Sequence, residues 1–203
     1  NLKTVAVRVP KNKTIRKILK SLNFPLAIPS ANKSTYVSPV SAEDVVDEFG
    51  SSLKFILNGG NCIIGLESTV VDLTSGVKIL RPGLINQSDV SNILKKKINT
   101  YKGSKIVRAP GMLRRHYSPG IPIKLNQKKA KINEAFIVFG KKYQKAKNIF
   151  NLSRKSNLNE AARNLYKTLR LIKKKNYKII CVSSIPKTGI GIAINDRLNR
   201  AAK

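Results

Sequence analysis

Phe24-Pro25-Leu26-Ala27-Ile28-Pro29-Ser30-Ala31-Asn32 is a short apolar run stopped by a proline and followed at once by small polar groups. The pattern reads as a buried strand that opens into a loop. Pro29 has no N–H for a sheet ladder and helps end the strand. Ser30 and Asn32 are then presented past its C-terminal end, where open α/β sheets bind ligands. Their hydroxyl and amide groups suit phosphate or carboxylate better than base catalysis. On local pattern alone, the same residues also make a plain turn.

Working outward, residues 2–9 alternate as a strand, and Ile15, Ile18, Leu19 and Leu22 recur at helical spacing behind Thr14, read as the N-cap. Ser41 caps a helix with Asp44 at the capping-box position, and Gly50 ends it. Phe55-Ile56-Leu57, 62–64, 69–73 and 78–80 read as strands, and 88–98 as a helix capped by Ser88. From 99 to about 130 the regular pattern fails. Pro110, Gly111, Pro119, Gly120 and Pro122 punctuate an ordered linker that holds the only histidine, in Arg114-Arg115-His116-Tyr117-Ser118-Pro119. Beyond it, strands at 135–139, 148–152 and 178–182 alternate with helices at 158–173 and 191–202. This is the pattern of a small parallel α/β unit.

The 203 residues are 41% hydrophobic and 25% charged, which describes a folded chain with a core. No apolar run reaches membrane-spanning length, so no membrane partner is expected. The chain starts without Met in a strand-like pattern and reads as part of a longer protein. Cys62 and Cys181 lack partners at metal-ligand spacing and read as small core residues, which fits a reducing, cytoplasmic setting. The net charge of +30 draws polyanions. Most of it falls in lysine runs such as 95–97 and 173–175, which read as solvated faces. A basic module for double-stranded RNA is the alternative reading.

The chemistry-bearing candidates are Thr4, Arg8, Ser30, Asn32, Ser68, Arg81, His116 and Tyr117. They make no nucleophile motif, carboxylate pair or phosphate-binding glycine loop. Cationic, hydroxyl and amide groups of this kind hold a nucleotide and an amino acid in register, and work by positioning and charge stabilisation.

Five motifs carry a family resemblance: Thr4-Val5-Ala6-Val7-Arg8-Val9-Pro10, the 25–32 stretch, Ile56-Leu57-Asn58-Gly59-Gly60, Gly65-Leu66-Glu67-Ser68-Thr69-Val70-Val71-Asp72, and Ile79-Leu80-Arg81-Pro82-Gly83. In this order they resemble the YrdC-like threonylcarbamoyl-AMP synthases. Ala109-Pro110-Gly111-Met112, His116-Tyr117-Ser118-Pro119 and Ile192-Ala193-Ile194-Asn195-Asp196-Arg197-Leu198 resemble the linker and second domain of the family's long form.

The resemblance implies a fold: the rear of a twisted open-sheet catalytic domain over 1–99, a linker or lid over 100–130, and a small Rossmann-like parallel α/β domain over 131–203. It implies a nucleotidyltransferase that makes L-threonylcarbamoyl-adenylate and pyrophosphate from L-threonine, bicarbonate and ATP, for threonylcarbamoyladenosine modification of tRNA. Arg8, Ser30 and Ser68 would hold threonine. Thr4, Asn32, Arg81 and Tyr117 would contact ATP, and Val40 would do so through its backbone, because the family often has Thr there. Mg2+ is expected with the triphosphate, without a protein metal site. tRNA or double-stranded RNA could meet the basic surface. The family's Lys-x-Arg motif is not found ahead of Ser30, so these residues alone are expected to be inactive. Tyr117 is expected to close over the nucleotide, with the linker contributing little to the core and the second domain acting as its anchor.

Overall fold

The computed structural model describes residues 4–74, 76–100 and 116–203. The motif at 109–112 and the pair Arg114-Arg115 lie outside the described residues.

Two sheets organise the chain. The first contains β1 (Val70–Asp72), β2 (Lys78–Arg81) and β3 (Asn99–Thr100), with β1–β2 antiparallel and β2–β3 parallel. The same part of the chain contains three helices: α1 (Lys13–Lys20), α2 (Ala42–Phe49) and α3 (Gln87–Leu94). The second sheet contains β4 (Ile123–Lys124), β5 (Ala135–Val138), β6 (Ile149–Asn151) and β7 (Ile180–Val182). It is wholly parallel, in the order β4-β7-β5-β6. α4 (Leu158–Lys174) crosses from β6 to β7, and α5 (Gly191–Ala201) follows β7.

The second sheet folds as its sequence pattern requires. Ala135 and Ile137 of β5 and Ile180 and Val182 of β7 turn to one face, where they meet Ala161, Ala162, Leu165, Leu169 and Ile172 of α4 and Ala193, Ile194 and Leu198 of α5. Phe136, Val138 and Cys181 turn to the other face. This alternation follows from the period of two along a strand. Asn157 caps α4 by accepting from the Glu160 N–H at 2.9 Å.

Several sequence expectations are corrected. Residues 4–10, 24–29, 55–57 and 62–64 form no strands. Their backbones have no ladder partner among the described residues, and Val5, Val7, Val9, Leu26, Ile28, Phe55, Leu57 and Ile63 stand exposed, Val7 by 85% and Phe55 by 91%. β-propensity becomes a strand only where a neighbour pairs with it. Asn12, not Thr14, caps α1, accepting from the N–H of Thr14 at 3.0 Å and of Ile15 at 3.1 Å. Asn86, not Ser88, caps α3 in a capping box with Asp89. β3 and β4 lie inside the stretch read as irregular, each added at the edge of a sheet. Cys181 is buried, but Cys62 is exposed. Among the described residues no helix is long and apolar enough to cross a membrane.

Candidate functional site

Glu67, Tyr166 and Arg197 converge where the first sheet meets α4 and α5. Gly65 makes that approach possible. Its φ is +78°, and a Cβ there would lie 2.5 Å from the Arg163 Cα of α4. The chain can therefore run against the helix backbone and bring Glu67 inward. Glu67 Oε1 accepts from Ser38 Oγ at 2.7 Å. Its Oε2 accepts from Tyr166 Oη and from Arg197 Nε, both at 2.9 Å. Burial pushes the Glu67 carboxyl up, but the Arg197 charge and the hydrogen bonds from Ser38 and Arg197 outweigh it and hold the group below its ordinary value.

Arg197 is the hub. Its side chain is 1% exposed. Besides Glu67, it donates through Nη1 to Asp196 Oδ2 at 2.6 Å and through Nη2 to the Pro82 carbonyl at 2.9 Å. Its guanidinium carbon lies 5.1 Å from the centroid of the Tyr117 ring. Burial opposes its charge, but the neighbouring Tyr117, Tyr166, Glu67 and Asp196 keep it protonated. The planar fork of arginine suits this role, because it can serve a carboxylate and a carbonyl at once.

Arg81 and Ser68 are brought together. The Ser68 carbonyl accepts from Arg81 Nε at 3.0 Å and Nη2 at 2.9 Å, while the Ser68 side chain faces solvent. Gly83 keeps the two segments close, since a Cβ there would meet the Thr69 backbone nitrogen at 2.4 Å. Thr4, Arg8 and Ser30 are exposed on extended chain. The Asn32 Nδ2 donates to the carbonyls of Lys33 at 2.8 Å and Tyr36 at 3.2 Å, and its buried Oδ1 has no partner among the described residues. The Val40 N–H is taken by Asp44 Oδ2 at 2.9 Å and its carbonyl accepts the Cys62 N–H at 2.8 Å. Both backbone groups of Val40 therefore have partners within the chain.

Tyr117 corrects the expectation that the linker adds little to the core. It is 1% exposed, stacks on Tyr166 with ring centroids 5.7 Å apart, and belongs to the main hydrophobic cluster. It adopts φ +63°, a strained conformation for a residue with a Cβ. His116 packs edge-on against it at 4.0 Å. Burial pushes the His116 imidazole down, the Glu67 charge opposes this, and the arginines around it deepen it. Ser118 pairs with Tyr36 and donates its N–H to the Thr35 carbonyl at 2.9 Å. A second tie lies along α4. Arg170 pairs with Asp44 at 3.0 Å and Glu48 at 3.3 Å and donates to the Val37 and Asp44 carbonyls.

Glu67, Tyr166 and Arg197 were not among the residues singled out from sequence. A carboxylate inside the otherwise uncharged run from Gly65 to Val71, in a chain with 10 acidic and 40 basic residues, was the available signal. Its partner lies 130 positions away and had no local mark.

Residues 1–83 match the Sua5/YciO/YrdC family model, described as telomere recombination, and residues 85–203 match the threonylcarbamoyl-AMP synthase C-terminal domain. Threonylcarbamoyl-AMP synthase of Pyrococcus abyssi is 32% identical over 99% of the chain, and that of Bacillus subtilis is 29% identical over 99%. The chain spans 64% of the length of each. The crystal structure of P. abyssi Sua5 complexed with L-threonine superposes with a TM-score of 0.86 at 31% identity, covering 99% of this chain and 64% of that one. A variant of the same protein with an adjacent His and Tyr changed to Ala superposes at 0.84, with 28% identity, over 99% of this chain and 63% of that one. With matching models over both parts, the chain belongs to the threonylcarbamoyl-AMP synthase family.

Proposed function

We propose that this protein forms L-threonylcarbamoyl-adenylate and pyrophosphate from L-threonine, bicarbonate and ATP. The carrying observation is the superposition of nearly the whole chain on a relative complexed with L-threonine. In this reading the threonine amine and bicarbonate form a carbamate with loss of water. A carbamate oxygen then attacks the α-phosphorus, and pyrophosphate leaves. Neither step needs a protein nucleophile, which suits a residue set of cations, hydroxyls and amides.

Arg8 is assigned to the threonine carboxylate, and Ser30 and Ser68 are assigned to the same substrate. Thr4, Asn32 and Arg81 are assigned to ATP, and the unpartnered Asn32 Oδ1 supports a ligand donor there. No polar contact is assigned to Val40. Tyr117 is assigned to hold the connection in place, next to the nucleotide side. Functionally the chain divides into a substrate-carrying part to residue 99, a connection over 100–130 and an anchoring unit from 131. Mg2+ is assigned as a companion of the triphosphate. The adenylate would then pass to a tRNA-modifying step.

Calorimetric titration of the full-length gene product with L-threonine tests the reading. The expected result is saturable binding that Arg8→Ala weakens, with a loss of about 1.5–3 kcal/mol for a charge-assisted carboxylate contact. ATP binding should change far less. Equal threonine affinity in parent and variant overturns the Arg8 assignment.

A further inference from the structure

Two residues assigned to substrates, Ser68 and Arg81, stand on adjacent segments, Ser68 just before β1 and Arg81 at the end of β2. Each is flanked by a group that a single side chain of α5 holds. Glu67 precedes Ser68 and takes the Arg197 Nε–H at 2.9 Å. Pro82 follows Arg81, and its carbonyl takes the Arg197 Nη2–H at 2.9 Å. Between these two grips, Arg81 itself clasps the Ser68 carbonyl. The guanidinium that fixes both segments also lies on the ring of Tyr117, within the connection. Tyr166 of α4 adds a third bond to Glu67.

We propose that Arg197 is a positioning residue that acts across the interface: it sets the spacing of the Ser68 and Arg81 segments and so tunes affinity for the amino-acid and nucleotide substrates. This rests on the functional reading above. A lysine in its place keeps the charge but is a single point donor, so it cannot hold a carboxylate and a carbonyl in fixed geometry. Removing the cation altogether leaves Glu67 half-buried among apolar groups without its counter-charge, and the carboxylate must move toward water, taking Ser68 with it. The second α/β unit thereby shapes the site without touching substrate.

The test uses the full-length gene product with Arg197→Lys and, as a milder change, Tyr166→Phe. One arm measures Kd for L-threonine and ATP well below the unfolding temperature. The other measures backbone hydrogen exchange without ligand. Arg197→Lys is expected to raise the threonine Kd about tenfold, as for one lost charge-assisted bond, with KM for threonine rising more than kcat falls. Tyr166→Phe should give a smaller rise. Exchange should speed at Val70, Val71, Ile79 and Arg81, the paired residues of β1 and β2, while Ile137 and Leu169 in the second unit stay protected. A purely structural role would lower stability without this split. Unchanged exchange at these β1 and β2 positions in both variants overturns the proposal. So does parent-like affinity in a folded Arg197→Lys protein. If the parent protein binds no threonine, the functional reading fails, and the exchange arm still decides the positioning claim.

Discussion

At the scale of single residues, Glu67 is a carboxylate drawn into a largely apolar interface by three donors. Its desolvation is unfavourable, and its pairing with Arg197 offsets that cost. The net effect lowers its pKa from the ordinary 4.5. A carboxyl lowered on folding adds stability that is complete above its unfolded value and is lost as the pH falls through its folded one. The chain is therefore expected to lose thermal stability as the pH drops below about 4.5. Glu67→Gln should lower Tm at neutral pH and flatten the acid side of the Tm–pH curve. Parallel curves for parent and variant would show that Glu67 does not carry this dependence. Tyr117 gives a second residue-scale expectation. Its ring fills the space between Tyr166, His116 and Arg197, so Tyr117→Ala should destabilise by about 3 kcal/mol, as for other large-to-small core changes. Urea unfolding measures this, and a loss near zero would return Tyr117 to the part of a surface tether.

At the scale of elements, α4 does two tasks. Its apolar face, Ala161, Ala162, Leu165, Leu169 and Ile172, closes over the parallel sheet. Its other groups reach the first half of the chain, Tyr166 to Glu67 and Arg170 to α2 and the Val37 loop. Arg170→Ala would leave Asp44 and Glu48 without their cation in a half-buried setting and should cost about 3 kcal/mol. Trypsin digestion followed by mass spectrometry is the check: cleavage near α2 should accelerate while α4 stays intact. Unchanged digestion would mean the ion pairs add nothing to docking. The helical face of α4 was legible in sequence because its period comes from burial on one side only. So were three of the four parallel strands of the second sheet, β5, β6 and β7, whose apolar runs pair with one another. The strands read at 4–10, 24–29 and 55–57 were not realised. The apolar pattern is there, but a strand is a property of a pair, and these segments have no partner among the described residues. β3 and β4 escaped reading for the converse reason: two paired residues each are too short for a period.

At the scale of the whole molecule, the candidate site is split between what local pattern reveals and what only folding assembles. Ser68 and Arg81 were legible as polar groups near strand ends, whereas the clasp of Arg81 on the Ser68 carbonyl was not. The Glu67–Arg197 pair was not legible, because sequence spacing carries no information on contacts 130 positions apart. Thr4, Arg8 and Ser30 were read as polar groups by strands, but they stand exposed on segments without a ladder partner among the described residues. The central claim is the reaction. Pyrophosphate release by the full-length gene product measures it most directly. The account predicts release only when L-threonine, bicarbonate and ATP are present together, with threonylcarbamoyl-adenylate formed mole for mole. Release that continues without threonine, or no release with all three present, would contradict it.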